Sequence, residues 1–229
     1  IGISRYEQQR LSFPKPLDLK GQPLAMDVAD MDGDGNYDCV YIGKEADDST
    51  RRMEIVYGSG SGNNFDNQGR VLLELEDLKS NPSGMKILDF DQDGLNDVLI
   101  FVPYDDPLAI RQVEPENYEV IDSPQAQASL IKTASMRSTF VANVDSEPGR
   151  ELLTGQDNYA RSLVFADGEQ WQVVDQYNAK SRENNVSAVA AYLMEGVSQG
   201  GKPVILLLDS QKQRLQILKV QDDGTYCFS

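Results

Sequence analysis

Two short acidic segments decide how this sequence is interpreted. Residues 30–38 read D-M-D-G-D-G-N-Y-D, and residues 89–97 read D-F-D-Q-D-G-L-N-D. Both segments fit the pattern D-x-D-x-D-G-x-x-D at every fixed position. Their first residues are about 60 positions apart, which indicates an internal repeat rather than one isolated acidic turn.

Two weaker copies follow at a similar spacing. Residues 143–151 read N-V-D-S-E-P-G-R-E, which keeps an oxygen-bearing side chain at positions 1, 3, 5 and 9 but displaces the glycine by one. Residues 192–196 read Y-L-M-E-G, where the flanking apolar runs remain but the acids are lost. The sequence therefore contains two complete copies, one altered copy and one degenerate copy.

Short apolar runs flank each copy. These runs contain β-branched and aromatic residues and are bounded by Gly, Asn, Asp and Pro, which is typical of β-strands. No segment sustains a 3.6-residue period, so we expect few helices. The runs lie at 24–28, 85–88, 139–141 and 186–191 before the copies, at 39–42, 98–102, 152–153 and 204–208 after them, and at 53–57, 70–75, 162–165 and 171–174 further on.

The number of strands per repeat predicts the fold class. About four strands in a unit of about 50–60 residues is the composition of a β-propeller blade. A single blade cannot bury both faces of its sheet, whereas stacked blades can. We therefore predict an all-β chain in which residues 1–229 form one propeller region, with four-stranded blades at about 14–80, 81–130, 131–182 and 183–229.

The two complete copies and their flanking strands resemble the FG-GAP (VCBS-type) repeats of integrin α-subunit propellers and of many bacterial extracytoplasmic proteins. The resemblance covers nearly the whole chain in four units, although the Phe-Gly and Gly-Ala-Pro signatures are poorly kept. Residues 58–62, which read G-S-G-S-G before Phe65, are the nearest trace of them, and we interpret this run as a flexible hairpin turn. Families of this kind close rings of about seven blades. The resemblance thus implies that the chain is a segment of a larger ring.

The two ends of the chain allow two arrangements. Residues 1–13 resemble the outer strand of a preceding blade, and residues 222–226 resemble a turn that enters another strand. Alternatively, the opening segment completes the last blade and closes a ring, which leaves no exposed sheet edge. Because the sequence begins with Ile1, we expect a processed or truncated piece that carries no targeting sequence.

The spacing of the acids predicts calcium sites. Calcium takes about six to eight oxygen ligands. Alternate spacing lets a curled loop direct positions 1, 3 and 5 inward, glycine permits the sharp turn at position 6, and position 9 begins the next strand. The predicted ligands are Asp30, Asp32, Asp34, Asp38 and the carbonyl of Asn36 in the first loop, and Asp89, Asp91, Asp93, Asp97 and the carbonyl of Leu95 in the second.

Mutual repulsion explains why these loops need a cation. At an effective dielectric of about 20, two carboxylates ~4 Å apart repel by about 4 kcal/mol. A bound divalent ion removes this repulsion and stabilises the fold, and calcium suits such a loop better than magnesium does. An EF-hand would need Glu at position 12, where this chain has Tyr41 and Ile100, and it would need flanking helices.

The altered third copy leaves two alternatives open. Asn143, Asp145, Glu147 and Glu151 offer ligands for a third calcium site. Pro148 and the displaced glycine instead favour a metal-free turn, for which Asp and Gly are common residues.

Composition limits the function further. The 37 acidic and 21 basic residues give a net charge of -16, which disfavours nucleic acid and anionic lipid as partners. No stretch approaches the ~20 apolar residues of a membrane helix, so we expect no membrane insertion. The absence of histidine removes His-dependent catalytic triads and most zinc sites. Cys39 and Cys227 could form a disulfide or remain free thiols.

These observations predict a calcium-stabilised binding or scaffold module without enzymatic activity. We expect a protein or glycan ligand and adhesion-type interactions. Because calcium loops of modest affinity stay filled only where calcium is plentiful, the location would be extracellular, at the cell surface or periplasmic. The alternative is a carbohydrate-binding module or a propeller domain associated with a polysaccharide lyase or hydrolase.

Overall fold

The fold is known from a computed structural model, which is almost entirely β-structure. Helical backbone occurs in the described residues only at 129–131, so the predicted all-β class is confirmed. Residues 61–62 of the Gly/Ser run and residues 195–196 of the degenerate copy lie outside the described part. The structure describes residues 1–7, 9–44, 50–60, 64–65, 70–121, 129–145, 147–166, 170–194 and 201–228.

The strands are short and follow the predicted apolar runs. In chain order they are β1 (Gly2–Ile3), β2 (Tyr6–Glu7), β3 (Arg10–Leu11), β4 (Lys15–Pro16), β5 (Gln22–Ala29), β6 (Asp38–Lys44), β7 (Arg51–Val56), β8 (Gly58–Ser59), β9 (Asn64–Phe65), β10 (Arg70–Leu75), β11 (Gly84–Leu88), β12 (Asp97–Phe101), β13 (Leu108–Glu114), β14 (Asn117–Val120), β15 (Thr139–Ala142), β16 (Glu151–Gln156), β17 (Tyr159–Ala166), β18 (Gln170–Asn178), β19 (Val186–Tyr192), β20 (Val204–Asp209), β21 (Arg214–Val220) and β22 (Tyr226–Phe228).

Sixteen of these strands build four antiparallel sheets of four strands each. Within every sheet, the strands are arranged side by side in their chain order: β5-β6-β7-β10, β11-β12-β13-β14, β15-β16-β17-β18 and β19-β20-β21-β22. The small β8-β9 pair interrupts the first sheet between its third and fourth strands. At the N-terminus, β1 pairs with β4 and β2 pairs with β3, while β22 pairs with β21.

The chain divides into two compact units. The first comprises Ile1–Ile87, Leu95–Pro103 and Leu108–Val120, and the second comprises Leu88–Gly94, Tyr104–Pro107 and Ile121–Ser229. In the first unit, the first two sheets share an apolar core. Val40 and Met53 of the first sheet pack there with Val98 and Ile110 of the second, and all four side chains are fully buried. Burial of such side chains is the main stabilising term of each sheet pair.

The second unit repeats this packing with the third and fourth sheets. Leu153 and Tyr177 of the third sheet lie in one core with Val189, Ile205 and Leu207 of the fourth. Ile205 and Leu207 both face this core because successive residues of a strand point to opposite faces of its sheet, which places residues two apart on the same face. Each unit therefore has its own apolar core between two sheets.

The other face of the first sheet is covered by residues near the N-terminus. Leu17 and Leu19 pack there against Tyr41 and Cys39. The Tyr41 hydroxyl donates to a carboxylate oxygen of Glu54 at 2.6 Å, which satisfies two polar groups inside this layer. Both cysteines are free thiols, with Cys39 buried and Cys227 exposed.

Candidate metal centre

Both acidic loops occupy the same place in their sheets. The first connects β5 to β6 and the second connects β11 to β12, so that position 9 of each loop begins the second strand of a sheet. The position-9 acids, Asp38 and Asp97, are 0% exposed. This placement follows from the sequence pattern, in which an apolar run precedes and follows each group of acids.

Three carboxylates converge in each loop. In the first loop, Asp30, Asp32 and Asp38 each offer one oxygen, and the three oxygens lie within 4.8 Å of one another. The second loop brings Asp89, Asp91 and Asp97 together in the same way. Positions 1, 3 and 9 of the predicted ligand sets therefore meet in both loops.

Backbone amides hold the first loop around Asp30. The carboxylate of Asp30 accepts hydrogen bonds from Gly33 N at 2.8 Å and from Gly35 N at 2.9 Å. Both glycines have positive φ angles of 78° and 86°, a conformation that a side chain disfavours. The sharp turn predicted for position 6 is thus present at Gly35.

The second loop uses the same device with one change. Asp89 accepts from Gly94 N at 3.0 Å and from Asp93 N at 3.1 Å, and Gly94 has a φ of 96°. At position 4, where the first loop has glycine, Gln92 adopts a φ of 61°. Burial raises the pKa of Asp89, and the nearby charge of Asp93 acts in the same direction.

The position-9 acids are fixed by hydrogen bonds from separate strands. Asp38 accepts from Met31 N and from Gly58 N, both at 2.8 Å. Asp97 accepts from Gln112 N at 2.9 Å. In each sheet, the residue after the acid pairs with a residue of the third strand. Gly58 and Gln112 each lie two residues beyond that pairing partner, so they occupy equivalent places. Burial raises the pKa of Asp38, and the negative charges of Asp32 and Asp34 contribute to the same shift.

The position-5 acids lie apart from the converging oxygens. Asp34 is exposed, and its two carboxylate oxygens accept from Asn36 N at 2.7 Å and from Asn36 Nδ2 at 2.8 Å. These hydrogen bonds lower the pKa of Asp34. Asp93 is also exposed, and its amide donates to both Asp89 and Asp91. The predicted carbonyl ligands, those of Asn36 and Leu95, belong to the same two loops.

An apolar residue at position 2 anchors each loop, a feature that the sequence reasoning missed. Met31, Phe90 and Val144 occupy this position in the three loops, and all three are buried. The sequence signal for this anchor is an apolar residue between two acids in the first two loops, and between Asn143 and an acid in the third. The buried second residue thus anchors each loop at one point while the acid that follows it stays at the surface.

The anchor of the second loop is an aromatic cluster within the second unit. The ring centroid of Phe90 lies 5.5 Å from that of Phe165 and 5.3 Å from that of Trp171. The Phe90 carbonyl also accepts a hydrogen bond from Phe165 N at 2.7 Å. Trp171 is the only tryptophan of the chain, so its fluorescence reports on the residue between Asp89 and Asp91.

A direct hydrogen bond joins the second loop to the first. The Asn96 side-chain amide donates to the carbonyl oxygen of Asp30 at 2.7 Å. Asn96 is position 8 of its loop, and Asp30 is position 1 of the other. Asn96 thus connects its own loop to the backbone of the first predicted ligand of the other loop.

The third loop repeats one hydrogen bond of the first loop, but its acids do not come together. Glu151 is buried and accepts from Val144 N at 2.7 Å, as Asp38 does from Met31. Asp145 accepts from Glu147 N at 2.8 Å, and Asn143 donates to the Glu147 carbonyl. These acids do not form a converging group of the kind found in the first two loops. Burial raises the pKa of Glu151, and the charge of Asp145 adds to the shift.

The displaced glycine of the third loop is explained by its backbone conformation. Gly149 has a φ of 119°, which L side chains rarely adopt. The third loop therefore favours glycine at this place, one residue later than the pattern of the first two loops.

The chemistry of the two converging groups fits a hard divalent cation. Carboxylate oxygens are the ligands that calcium and magnesium prefer, whereas zinc and copper favour nitrogen and sulfur. Two oxygens on opposite sides of a calcium ion are about 4.6–5.2 Å apart, so oxygens within 4.8 Å of each other can share one ion. Three carboxylates at this distance repel one another unless a cation lies between them.

Comparison of the chain with protein-family profiles finds none that matches, and comparison with curated proteins finds no match either. Within the described ranges, no helix has the length and apolar character needed to cross a membrane.

Proposed function

We propose that this chain is a calcium-stabilised binding or scaffold module with the architecture of a β-propeller segment, acting outside the cytoplasm. The observation that carries the proposal is the convergence of three carboxylates at the same place in two successive sheets. One such group could be a chance arrangement of exposed acids. Two equivalent groups, each held by backbone amides and closed by a buried acid, indicate a repeated binding device.

The remaining calcium ligands are available in the same loops. Three carboxylate oxygens supply only part of the set of about six to eight that calcium takes. The exposed carboxylates of Asp34 and Asp93, the carbonyls of Asn36 and Leu95, and water would complete it. The Asp34 carboxylate is exposed and accepts hydrogen bonds from Asn36, and it would have to exchange these for the ion in order to join the site.

A structural role for the ion follows from the position of its ligands. In the first sheet, Asp38 begins β6 and is bonded to the amide of Gly58, which follows β7. An ion shared by Asp30, Asp32 and Asp38 would connect the loop after β5 to the strands beside it. Such a connection would stabilise the sheet, which gives the ion a structural role in this proposal.

Stacked sheets support the propeller part of the proposal. Each sheet is a four-stranded meander, and neighbouring sheets within each unit share an apolar core, as the blades of a propeller do. With the resemblance to FG-GAP repeats, this favours a protein or glycan ligand bound by the surface of the repeats. Calcium loops of modest affinity, the kind expected here, are filled only where calcium is abundant, which supports an extracytoplasmic location.

Thermal unfolding with calcium and with a chelator tests the proposal. An ion present at 100 times its Kd stabilises the folded state by about 2.7 kcal/mol per site. For a chain of this size, 1 kcal/mol corresponds to about 2–4 °C in Tm. With both sites filled at this ratio, we expect the chelator to lower Tm by about 10–20 °C.

Two double variants sharpen this test. The combined substitutions Asp32→Ala and Asp91→Ala should largely abolish the effect of the chelator. The combined substitutions Asp18→Ala and Asp222→Ala remove two exposed acids outside the loops and should leave it intact. Equal midpoints for the unmodified protein with calcium and with chelator would refute a structural role for calcium.

A further inference from the structure

A basic cavity lies in the second unit, away from the acidic loops. It has a volume of about 690 Å³ and is open to solvent, with residues of two turns along its sides. One turn connects β18 to β19, and the other is the β20–β21 hairpin, at the opposite end of β20 from the connection that corresponds to the acidic loops. The charged and polar side chains that line the cavity include Lys180, Ser181, Glu183, Lys212, Arg214 and Gln216.

The charge of this cavity is the reverse of the charge of the chain. Three cationic side chains and one carboxylate line it, whereas the whole chain carries 37 acidic and 21 basic residues. Lys212 lies 3.5 Å from Glu183, but the Glu183 side chain is 85% exposed, so this pair is weak. Lys180 and Arg214 have no carboxylate partner in the described part of the chain. In so acidic a protein, two unpaired cations in one concavity favour an anion.

Hydrogen bonds fix the two turns relative to each other. The Lys180 amide of one turn donates to the Gln216 side-chain carbonyl at 2.8 Å. The buried carboxylate of Asp209 accepts from Lys212 N at 3.0 Å and from Asn184 Nδ2 at 2.8 Å, which joins the two turns a second time. These bonds, that of Lys212 above all, lower the pKa of Asp209, which keeps its acceptor oxygens charged. The cavity is therefore preformed, which reduces the entropic cost of binding.

The groups left for a ligand are hydrogen-bond donors. The Gln216 carbonyl and the Ser181 hydroxyl oxygen already accept bonds from backbone amides, which leaves the Gln216 amide N–H and the Ser181 O–H to donate. Lysine ammonium and arginine guanidinium groups have donors only. Charge-assisted bonds from such groups are strongest to carboxylate, sulfate and phosphate oxygens.

We propose that this cavity is a binding site for a small ligand that carries an oxyanion group, such as a carboxylate, a sulfate or a phosphate. Lys180 and Arg214 supply the charge that the anion neutralises, and Gln216 and Ser181 orient it. The site is independent of the calcium loops, since none of its lining residues belongs to them.

Amide chemical-shift titrations at constant ionic strength test this site. The three probes are glucuronate, inorganic sulfate and inorganic phosphate, with chloride as the reference anion. At least one probe should cause saturable shifts of the Lys180 and Gln216 amides, with a Kd of about 1 mM or below. Glucuronate alone would assign the site to sugar acids, and the inorganic ions alone would assign it to free oxyanions.

Matched variants separate a site from general charge attraction. The combined substitutions Lys180→Ala and Arg214→Ala should weaken binding about tenfold or more. The combined substitutions Arg10→Ala and Lys15→Ala remove two exposed cations near the N-terminus and should change nothing. The absence of saturable shifts with all three probes would overturn the proposal, as would equal weakening by both pairs. Asp32→Ala with Asp91→Ala should retain binding, which distinguishes failure here from failure of the calcium proposal.

Discussion

Gly58 provides a test of how the first acidic loop is held. Its N–H donates to the buried carboxylate of Asp38 at 2.8 Å. A Cβ placed on Gly58 would lie 2.2 Å from the carbonyl oxygen of Tyr37 and 3.1 Å from the carbonyl carbon. Because the obstructing atoms belong to the backbone of the loop, no side-chain movement can relieve the clash. Gly58→Ala must therefore displace either the loop or β8.

The expected cost combines two effects. Overpacking of a tight site costs about 1–3 kcal/mol, and loss of a hydrogen bond to a charged acceptor costs about 1.5–3 kcal/mol. We expect Gly58→Ala to lower the free energy of unfolding by about 3–5 kcal/mol in calcium. This corresponds to a fall in Tm of about 10 °C for a chain of this size. Calcium affinity should fall in the first loop and not in the second, since only Asp38 is displaced.

Gly60→Ala is the matched control, because it lies in the same Gly/Ser run. Gly60 has a φ of 64°, and a Cβ there would have no atom within 4 Å. Its substitution should cost about 1–2 kcal/mol through backbone strain alone and should leave calcium affinity unchanged. Denaturant unfolding of both variants measures the difference in stability, and calorimetric calcium titration measures the difference in calcium affinity. Equal effects of the two substitutions would show that the run is a simple turn and that Gly58 does not position Asp38.

Three further predictions concern the loops and the basic cavity. Asn96→Ala removes the hydrogen bond to the Asp30 carbonyl and should lower the free energy of unfolding by about 1 kcal/mol; it should also weaken calcium binding at the first loop, and unchanged affinity in a calorimetric titration would exclude this coupling. Phe90→Ala should cost about 3–5 kcal/mol in denaturant unfolding and shift the emission of the buried Trp171 to longer wavelength, whereas an unshifted spectrum would contradict the packing of the second loop. The lowered pKa of Asp209 means that its contribution to stability is present above about pH 3.8 and is lost as the pH falls through the lower folded-state pKa. Asp209→Asn should therefore be less stable at neutral pH and lose less stability on acidification below about pH 4 in an acid-unfolding series, and equal stability at pH 7 would refute this role.

Local patterns predicted the strands and the place of the acidic loops. Alternating apolar residues and turn residues act within a few positions, so the segment 39–42 correctly indicated part of β6, and 98–102 indicated β12. The convergence of positions 1, 3 and 9 followed from the same spacing. These features depend on neighbours in the chain, and such signals can be read from one sequence.

Contacts between distant residues could not be predicted in this way. The Gly/Ser run is predicted to form a flexible hairpin turn, and β8 and β9 do pair on either side of it, but the sequence does not reveal that Gly58 is buried against the carbonyl of Tyr37, about 20 residues earlier. The Asp34 carboxylate accepts hydrogen bonds from Asn36 instead of joining the other three carboxylates of its loop. The spacing of the acids in the sequence does not reveal this outward position. The basic cavity combines Lys180 with Arg214, which only the pairing of strands brings together.

Calcium-binding stoichiometry tests the central claim most directly. In a calorimetric titration of the metal-free protein, we predict two calcium ions per chain, one for Asp32→Ala, one for Asp91→Ala and none for the double variant. Trp171 fluorescence recorded in parallel should respond to calcium in Asp32→Ala but not in Asp91→Ala, because Phe90 joins the tryptophan to the second loop. Binding of no calcium by the unmodified chain, or the same stoichiometry in all four proteins, would contradict the account.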